Sequence, residues 1–351
     1  MFFTAAAVAT GVFLAGWDLL GVRELKTERR IDSKTLFDLV KLSFGVVAGA
    51  GALVALVVAY RRQRVDEDGA VREATRLHTE RFTVAVSQLG DASAAVRLGG
   101  VHALAGLADD APSRELRQTC IDVLCAYLRL PYSAESEVAA DDSAARHDYL
   151  ALREVRHTII RLIRDHLRLS HPHPRSWQGY DFDFTGVVFD GGDFSAAEFA
   201  GGRVSFDGAE FTGGWVCLNE AEFTGGTVTF RGAGFIGGAV TFDGARFDGG
   251  TVIFFATKFT GSTVTFDGAT FADGMVAFET ARFSGSTVTF AGAFAGGTVS
   301  FHNAEFTSGL VTFGGARFTG GTVDLSAASG VAPGGLPQSP LPAGLSLPPT
   351  W

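Results

Sequence analysis

From Phe199 onward, apolar and polar positions alternate in short runs that return every twelve residues. The stretch from Phe223 to Gly250, FTGGTVTFRGAGFIGGAVTFDGARFDGG, states the unit twice as F-x-G-G-x-V-x-F-x-G-A-x. Inside each unit a tetrad such as T-V-T-F turns Val and Phe one way and Thr the other, the period-two pattern of a strand. Gly-Gly closes one end and Gly-Ala the other, where backbone must turn without side-chain bulk. Phe199, Phe211, Phe223, Phe235, Phe247, Phe259, Phe271 and Phe283 mark the period; Phe294 follows after one eleven-residue unit, then Phe306 and Phe318.

Each unit has one Val and two Phe to bury, more than a twelve-residue coil can enclose. The pattern therefore predicts two units per coil, about 24 residues, each coil hydrogen-bonding its neighbours. It stacks Phe211 on Phe235 and Phe259, and Phe223 on Phe247 and Phe271. In the short unit FSGSTVTFAGAF the strand T-V-T-F is intact. A slip inside a strand would turn every later side chain outward. The missing residue is therefore expected at the corner between Phe290 and Phe294, leaving Phe294 between Phe271 and Phe318.

Residues 72–169 change to helical periodicity with little Gly. A stripe of Phe82, Val86 and Leu89 ends at Gly90; Asp91 is placed to cap a second helix with Val96, Val101, Leu104 and Leu107 on one face. This looks like one HEAT-type helix pair. A third helix runs from Arg114 to Leu130, before Pro131. SAESEVAADDSA forms an acidic linker, and a long helix follows from about Ala145 to Leu169. At the N-terminus, residues 2–22 and 42–60 are apolar enough to predict a transmembrane helical hairpin. The second span is followed by Arg61, Arg62 and Arg64.

Composition sharpens the division. Of 31 Phe, 25 lie between Asp181 and Gly330, a stretch with sixteen Asp/Glu against six Lys/Arg, a balance of −10. Cys120, Cys125 and Cys217 form no CxxC pair or disulfide framework. His147, His157, His166, His171 and His173 lack the i, i+4 spacing of an H-E-x-x-H helix, so they read as solvated or capping residues. Arg153, Arg156, Arg161, Arg164 and Arg168 read as a solvated basic face without the interleaved aromatics of a nucleic-acid patch. No base, nucleophile or ligand set recurs in the repeat. The expectation is a non-enzymatic protein with no catalytic, cofactor-binding or metal residues and no small-molecule substrate.

From Asp181 the chain reads DFDFTGVVFDGGDFSAAEF, with Phe184, Phe189, Phe194 and Phe199 five apart. This resembles the pentapeptide-repeat family, whose unit is A-(D/N)-(L/F)-x-x. In that family four units make one square coil of a right-handed β-helix. Ala197 and Ala209 match the small residue two before the centre; Val187 departs from it. After Phe199 the spacing becomes twelve, divisible as five plus seven. With its apolar and helical segments the chain resembles membrane-linked bacterial pentapeptide-repeat proteins.

The resulting organisation is a transmembrane hairpin with its flanks (1–64), an all-α HEAT-like segment (65–175), a right-handed quadrilateral β-helix (176–330) and a Pro-rich, extended or disordered tail (331–351). The expected role is a multi-pass membrane protein whose acidic rod, on the cytoplasmic side, meets an unknown protein partner and binds no nucleic acid directly. Two alternatives follow from likeness. Some pentapeptide-repeat proteins mimic B-form DNA and act on a DNA topoisomerase, gyrase. The outward pairs Thr227/Thr229, Thr263/Thr265 and Thr287/Thr289 suggest an ice-binding solenoid.

Overall fold

Phe199 lies beside Phe223 on the next strand, and Phe211 beside Phe235, so one turn of the solenoid takes 24 residues. The structure is a computed structural model describing residues 14, 18, 32–133 and 142–351. The predicted first membrane helix lies outside the described residues, apart from Leu14 and Asp18, which are helical; so do linker residues 134–141. The chain divides into two units, Met1–Val71 and Arg72–Trp351.

In the first unit the expected span at 42–60 is not a separate helix. It belongs to α1 (Ser33–Leu89), 57 residues long. No Pro interrupts the polar stretch after Tyr60, and Arg76 pairs with both Glu73 and Glu80 at helical spacing. Among the described residues this is the one helix long and apolar enough to cross a membrane, and its apolar window is unburied.

The second unit begins with the end of α1, followed by α2 (Ala94–Asp109), α3 (Arg114–Leu128) and α4 (Ser143–Leu167). Asp142 caps α4 by accepting from Ala144 and Ala145 N–H at 3.1 and 2.9 Å. Asp91 does not cap α2. Its carboxylate accepts from Ser93 N–H in the preceding turn, and Ser93 takes the N-cap position. Helices α1 and α2 cross closely at Gly100, where a Cβ would stand 2.5 Å from Leu89 N and 2.9 Å from Ala85 O. Leu104, Ile121, Leu124, Ile159 and Ile163 fill the core, whereas Val86 and Val96, expected inside, are exposed.

The solenoid has about seven turns, and every pairing between its strands is parallel. Two sheets form its walls, one of ten strands and one of eleven. The first runs through β1 (Phe182–Asp183), β4 (Glu198–Ser205), β7 (Glu222–Thr229), β10 (Arg246–Ile253), β13 (Thr270–Ala277), β16 (Thr298–Ser300), β19 (Thr322–Asp324) and β21 (Leu345–Ser346). The second includes β2 (Val188–Phe189), β3 (Gly192–Asp193), β6 (Trp215–Cys217), β9 (Ala239–Thr241), β12 (Thr263–Thr265), β14 (Arg282–Thr289), β17 (Glu305–Thr312) and β20 (Ser329–Gly330).

Four columns fill the interior. One runs Phe189, Phe211, Phe235, Phe259, Phe283, Phe306, with ring centroids 4.6–5.2 Å apart. A second runs Phe199, Phe223, Phe247, Phe271, Phe294, Phe318. The third runs Phe184, Phe206, Phe230, Phe254, Phe278, Phe301. The fourth links Phe242, Phe266, Phe290 and Phe313, with Phe194 and Leu218 buried in the preceding coils. The five-spaced Phe184, Phe189, Phe194 and Phe199 thus stand at the head of the twelve-residue pattern.

The short unit is closed at its corner. Gly292 N–H donates to Phe290 O at 2.8 Å, one residue tighter than the Ala269-to-Phe266 bond of the preceding coil. Phe294 stacks at 4.7 Å on Phe271 and 5.0 Å on Phe318. Phe301, Phe306 and Phe313 remain buried.

Residues 331–351 are not a loose tail. They form a last, degenerate coil: Gly334 O accepts from Phe313 N–H at 2.7 Å, Gly344 O from Val323 at 2.8 Å and Ser346 O from Leu325 at 2.9 Å. Gly330 pairs with Phe306 where earlier coils place Phe, and Trp351 supplies the missing ring. Trp351 packs edge-on to Phe306 at 5.7 Å and donates its indole N–H to Gly330 O at 3.2 Å. An open final coil would leave strand edges and ring faces in water, which this segment prevents.

Candidate functional site

The helical segment meets the first coil through side chains that take the place of a missing strand. The Gln118 amide donates to Asp181 O at 2.8 Å, while its oxygen accepts from Asp181 N–H at 3.0 Å. Guanidinium groups cover successive carbonyls of that coil: Arg114 on Gly179, Arg129 on Asp183, Arg156 on Val188 and Arg168 on Ser195, at 2.5–2.7 Å. Arg156 is buried, also donates to Leu128 O at the end of α3, and lies over the Tyr132 ring. The expected solvated basic face of α4 is therefore a docking face. The reason is the solenoid's open edge, whose carbonyls lack a preceding coil.

At the centre of this contact sits Asp190, 6% exposed. It accepts hydroxyl hydrogen bonds from Tyr132 at 2.5 Å and Tyr149 at 2.6 Å, and faces His157 Nε2 at 3.3 Å. Arg153 Nε lies 3.2 Å away, close enough for ion pairing though not aligned for a hydrogen bond. Burial alone would raise the Asp190 pKa, but the bonds from His157, Tyr132 and Tyr149 outweigh it and hold it below the usual carboxylate range. Burial and the same carboxylate push the Tyr149 phenol up to about 12. A carboxylate held by three hydrogen bonds keeps its charge and locks α4 to the coil.

Two glycines let α4 approach. A Cβ on Gly192 would stand 3.1 Å from Ile160, and one on Gly191 3.2 Å from His157. Beyond them opens a cavity of about 520 Å³ lined by Arg153, His157, Asp193, Ser195, Trp215 and Cys217. Its wall is ion-paired, Arg164 to Asp193 and Arg153 to Asp190. Nearby, Trp177 is fully buried and stacks on His166 at 4.0 Å, and His166 faces Asp109 at 3.1 Å. His157 and His166 are thus partners in the contact rather than solvated residues. Burial pushes the Cys120 thiol up to about 11 and Cys125 to about 12, so both remain protonated.

The sequence-predicted core residues Phe199, Phe211, Phe223, Phe235, Phe247, Phe259, Phe271, Phe283, Phe294, Phe306 and Phe318 all face the interior, the last only partly buried. They belong to two columns and form no reactive site. The three Thr pairs do not share a surface. Thr227/Thr229 lie in β7 of one sheet; Thr263/Thr265 and Thr287/Thr289 pair side by side in the other. Thr229 is moreover buried, donating to Asp207 at 2.6 Å. Thr265 and Thr289 make the same bond to Asp243 and Asp267.

Among the described residues no three of His, Cys, Asp and Glu gather as a metal-ligand set. Fold and contacts together define a parallel β-solenoid with an N-terminal helical region. No family model, curated protein or solved structure matches the chain.

Proposed function

We propose that this chain is a non-enzymatic, membrane-anchored interaction protein, and that its rod is a right-handed, four-sided β-helix of the pentapeptide-repeat kind. The four Phe columns headed by Phe184, Phe189, Phe194 and Phe199 support the four-sided reading: one five-residue step per side, lengthened to seven on alternate sides. The observation that carries the interaction role is the outer surface of the eleven-stranded sheet. Ala239, Thr263 and Thr287 follow one another at single-coil spacing, with Thr265 beside Thr289; Thr241, one coil earlier, is buried under the Trp215 indole, which donates to its hydroxyl. Short side chains on a stiff wall make a flat platform suited to another folded surface. The apolar window of α1 serves as the anchor, with the rod on the cytoplasmic side.

A photocrosslinker at Thr263 in native membranes tests this reading. A discrete crosslinked protein, lost when the probe moves to the opposite wall at Thr251, supports it. The absence of any product from every outward Thr position overturns it.

A second reading, nucleic-acid mimicry toward a DNA topoisomerase, draws on the carboxylates Asp243 and Asp267, one coil apart on a rod carrying −10. Unchanged gyrase supercoiling at micromolar protein removes it. The ice-binding reading keeps only two adjacent T-x-T pairs, flanked by Ala239 and Leu310; absence of thermal hysteresis dismisses it.

A further inference from the structure

Each position of a solenoid coil is repeated in its neighbours, so a residue that breaks its row marks a local demand. Three adjacent rows of the eleven-stranded sheet break where α4 comes closest. The outward row Ala239, Thr263, Thr287, which ends at Leu310, begins with Trp215. The row Thr241, Thr265, Thr289, Thr312 begins with Asp193 and Cys217. The inward row Val216, Val240, Val264, Val288 begins with Gly192, which makes room for Ile160 of α4. Trp215, Cys217, Asp193 and Gly192 all line the cavity of about 520 Å³ between α4 and the first two coils. Its volume lies within the range of about 300–1,000 Å³ typical of small-ligand sites.

Packing leaves two of its walls unexplained. Trp215 donates its indole N–H to Thr241 at 2.8 Å, which fixes the ring, yet the residue is 57% exposed. Arg153 is ion-paired with Asp190, but its buried Nε has no hydrogen-bond partner, and no other N–H of its guanidinium bonds to a described residue. Asp190 does not depend on it, because Tyr132, Tyr149 and His157 already hold that carboxylate. Asp193, the other acid of the wall, is paired with Arg164. The two unexplained groups meet at Gly191: a Cβ built there would lie 3.6 Å from Arg153 Nη2 and 3.5 Å from the Trp215 carbonyl oxygen.

We infer that this cavity is a binding site for an aromatic carboxylate, with the carboxylate on Arg153 and the ring against Trp215. A planar fork of unused donors is matched by a carboxylate. An exposed indole held in one orientation is matched by a second aromatic ring. The ligand bridges the two halves of the contact, α4 through Arg153 and the solenoid through Trp215. The site depends on neither the membrane anchor nor the Thr platform.

The test is calorimetric titration of the full chain in detergent with naphthoate. Saturable, one-site binding is expected. Naphthamide, its neutral isostere, and acetate, which lacks the ring, should each bind at least about tenfold more weakly. Arg153→Lys keeps a charge opposite Asp190 but loses the fork. Trp215→Thr places at an exposed position the side chain that the coils of Thr263 and Thr287 carry. Each substitution should weaken naphthoate binding about tenfold. Bound naphthoate should also slow alkylation of Cys217, the one cysteine that is not buried. Absence of saturable binding overturns the inference, as does equal binding of naphthoate and naphthamide. Binding that survives both substitutions and leaves Cys217 equally reactive also overturns it, because the ligand would then sit in the micelle or elsewhere on the chain.

Discussion

Gln118 holds Asp181 by both hydrogen-bonding groups of its backbone, as a neighbouring strand would. A side-chain amide has the same donor and acceptor as a peptide unit, so one residue on a helix can finish a sheet edge. Gln118→Leu removes both bonds while keeping the bulk. The half-buried site predicts a loss of about 1 kcal/mol per bond, read as a lower urea midpoint, with Gln118→Glu losing less because it can still accept from Asp181 N–H.

Asp190→Asn should cost about 3–5 kcal/mol at neutral pH, because it leaves Arg153 and the tyrosine hydroxyls facing a neutral group in a buried contact. The pH dependence has a fixed sign. The folded-state pKa of Asp190 is depressed, so its contribution is complete above the unfolded value of about 3.9 and is lost as pH falls through the folded pKa. Asp183 and Asp193 shift the same way. Stability measured from pH 6 downward should therefore fall below about pH 4, and less steeply in Asp190→Asn. Parallel acid limbs would show that the carboxylate is not the titrating group.

Thr280 occupies a left-handed turn position that is glycine at 208, 232, 244, 268 and 315 and Ala, Glu or Asn elsewhere. Its φ is +53°, unfavourable for a β-branched residue, and its hydroxyl is buried without a partner. Thr280→Gly relieves both, offset by the greater freedom of glycine in the unfolded chain. A net gain of about 1 kcal/mol is expected, visible as a higher unfolding temperature; a lower temperature would mean that the turn is held by the side chain.

Phe254 and Phe255 are neighbours with opposite fates. Phe254 is fully buried between Phe230 and Phe278, whereas Phe255 is 37% exposed beside Arg231. Phe254→Ala should cost about 3–5 kcal/mol, and Phe255→Ala no more than about 1 kcal/mol, the scale of a surface cation–π contact. Equal losses would contradict the column as the source of stability.

The repeat was legible because its period is a geometric requirement: Phe211, Phe235 and Phe259 must coincide in space for neighbouring coils to bond. The corner at Ala291–Ala293 was legible for the same reason, since no other place absorbs a residue without inverting a strand. The docking of α4 was not. Arg156 and Arg168 look like any surface arginines until the partner carbonyls of Val188 and Ser195 are in place, and those carry no side-chain signal. One hint was present: Gly191-Gly192 interrupts the first coil where α4 comes closest. The pairing of residues 331–351 with the preceding coil is not legible, because Pro-rich composition describes both a loose segment and a poor strand template.

The aromatic columns also give the molecule a natural unit of growth. Each coil offers its neighbours nearly the same rings, arches and bond partners, so copying 24 consecutive residues in the gene would insert one more turn while leaving both ends as they are. Such an event lengthens the rod by about 4.8 Å, the spacing of hydrogen-bonded strands. Duplication in whole turns could thus have adjusted the reach of this protein like links added to a chain, with the twenty-three-residue step from Phe271 to Phe294 as the trace of one imperfect copy.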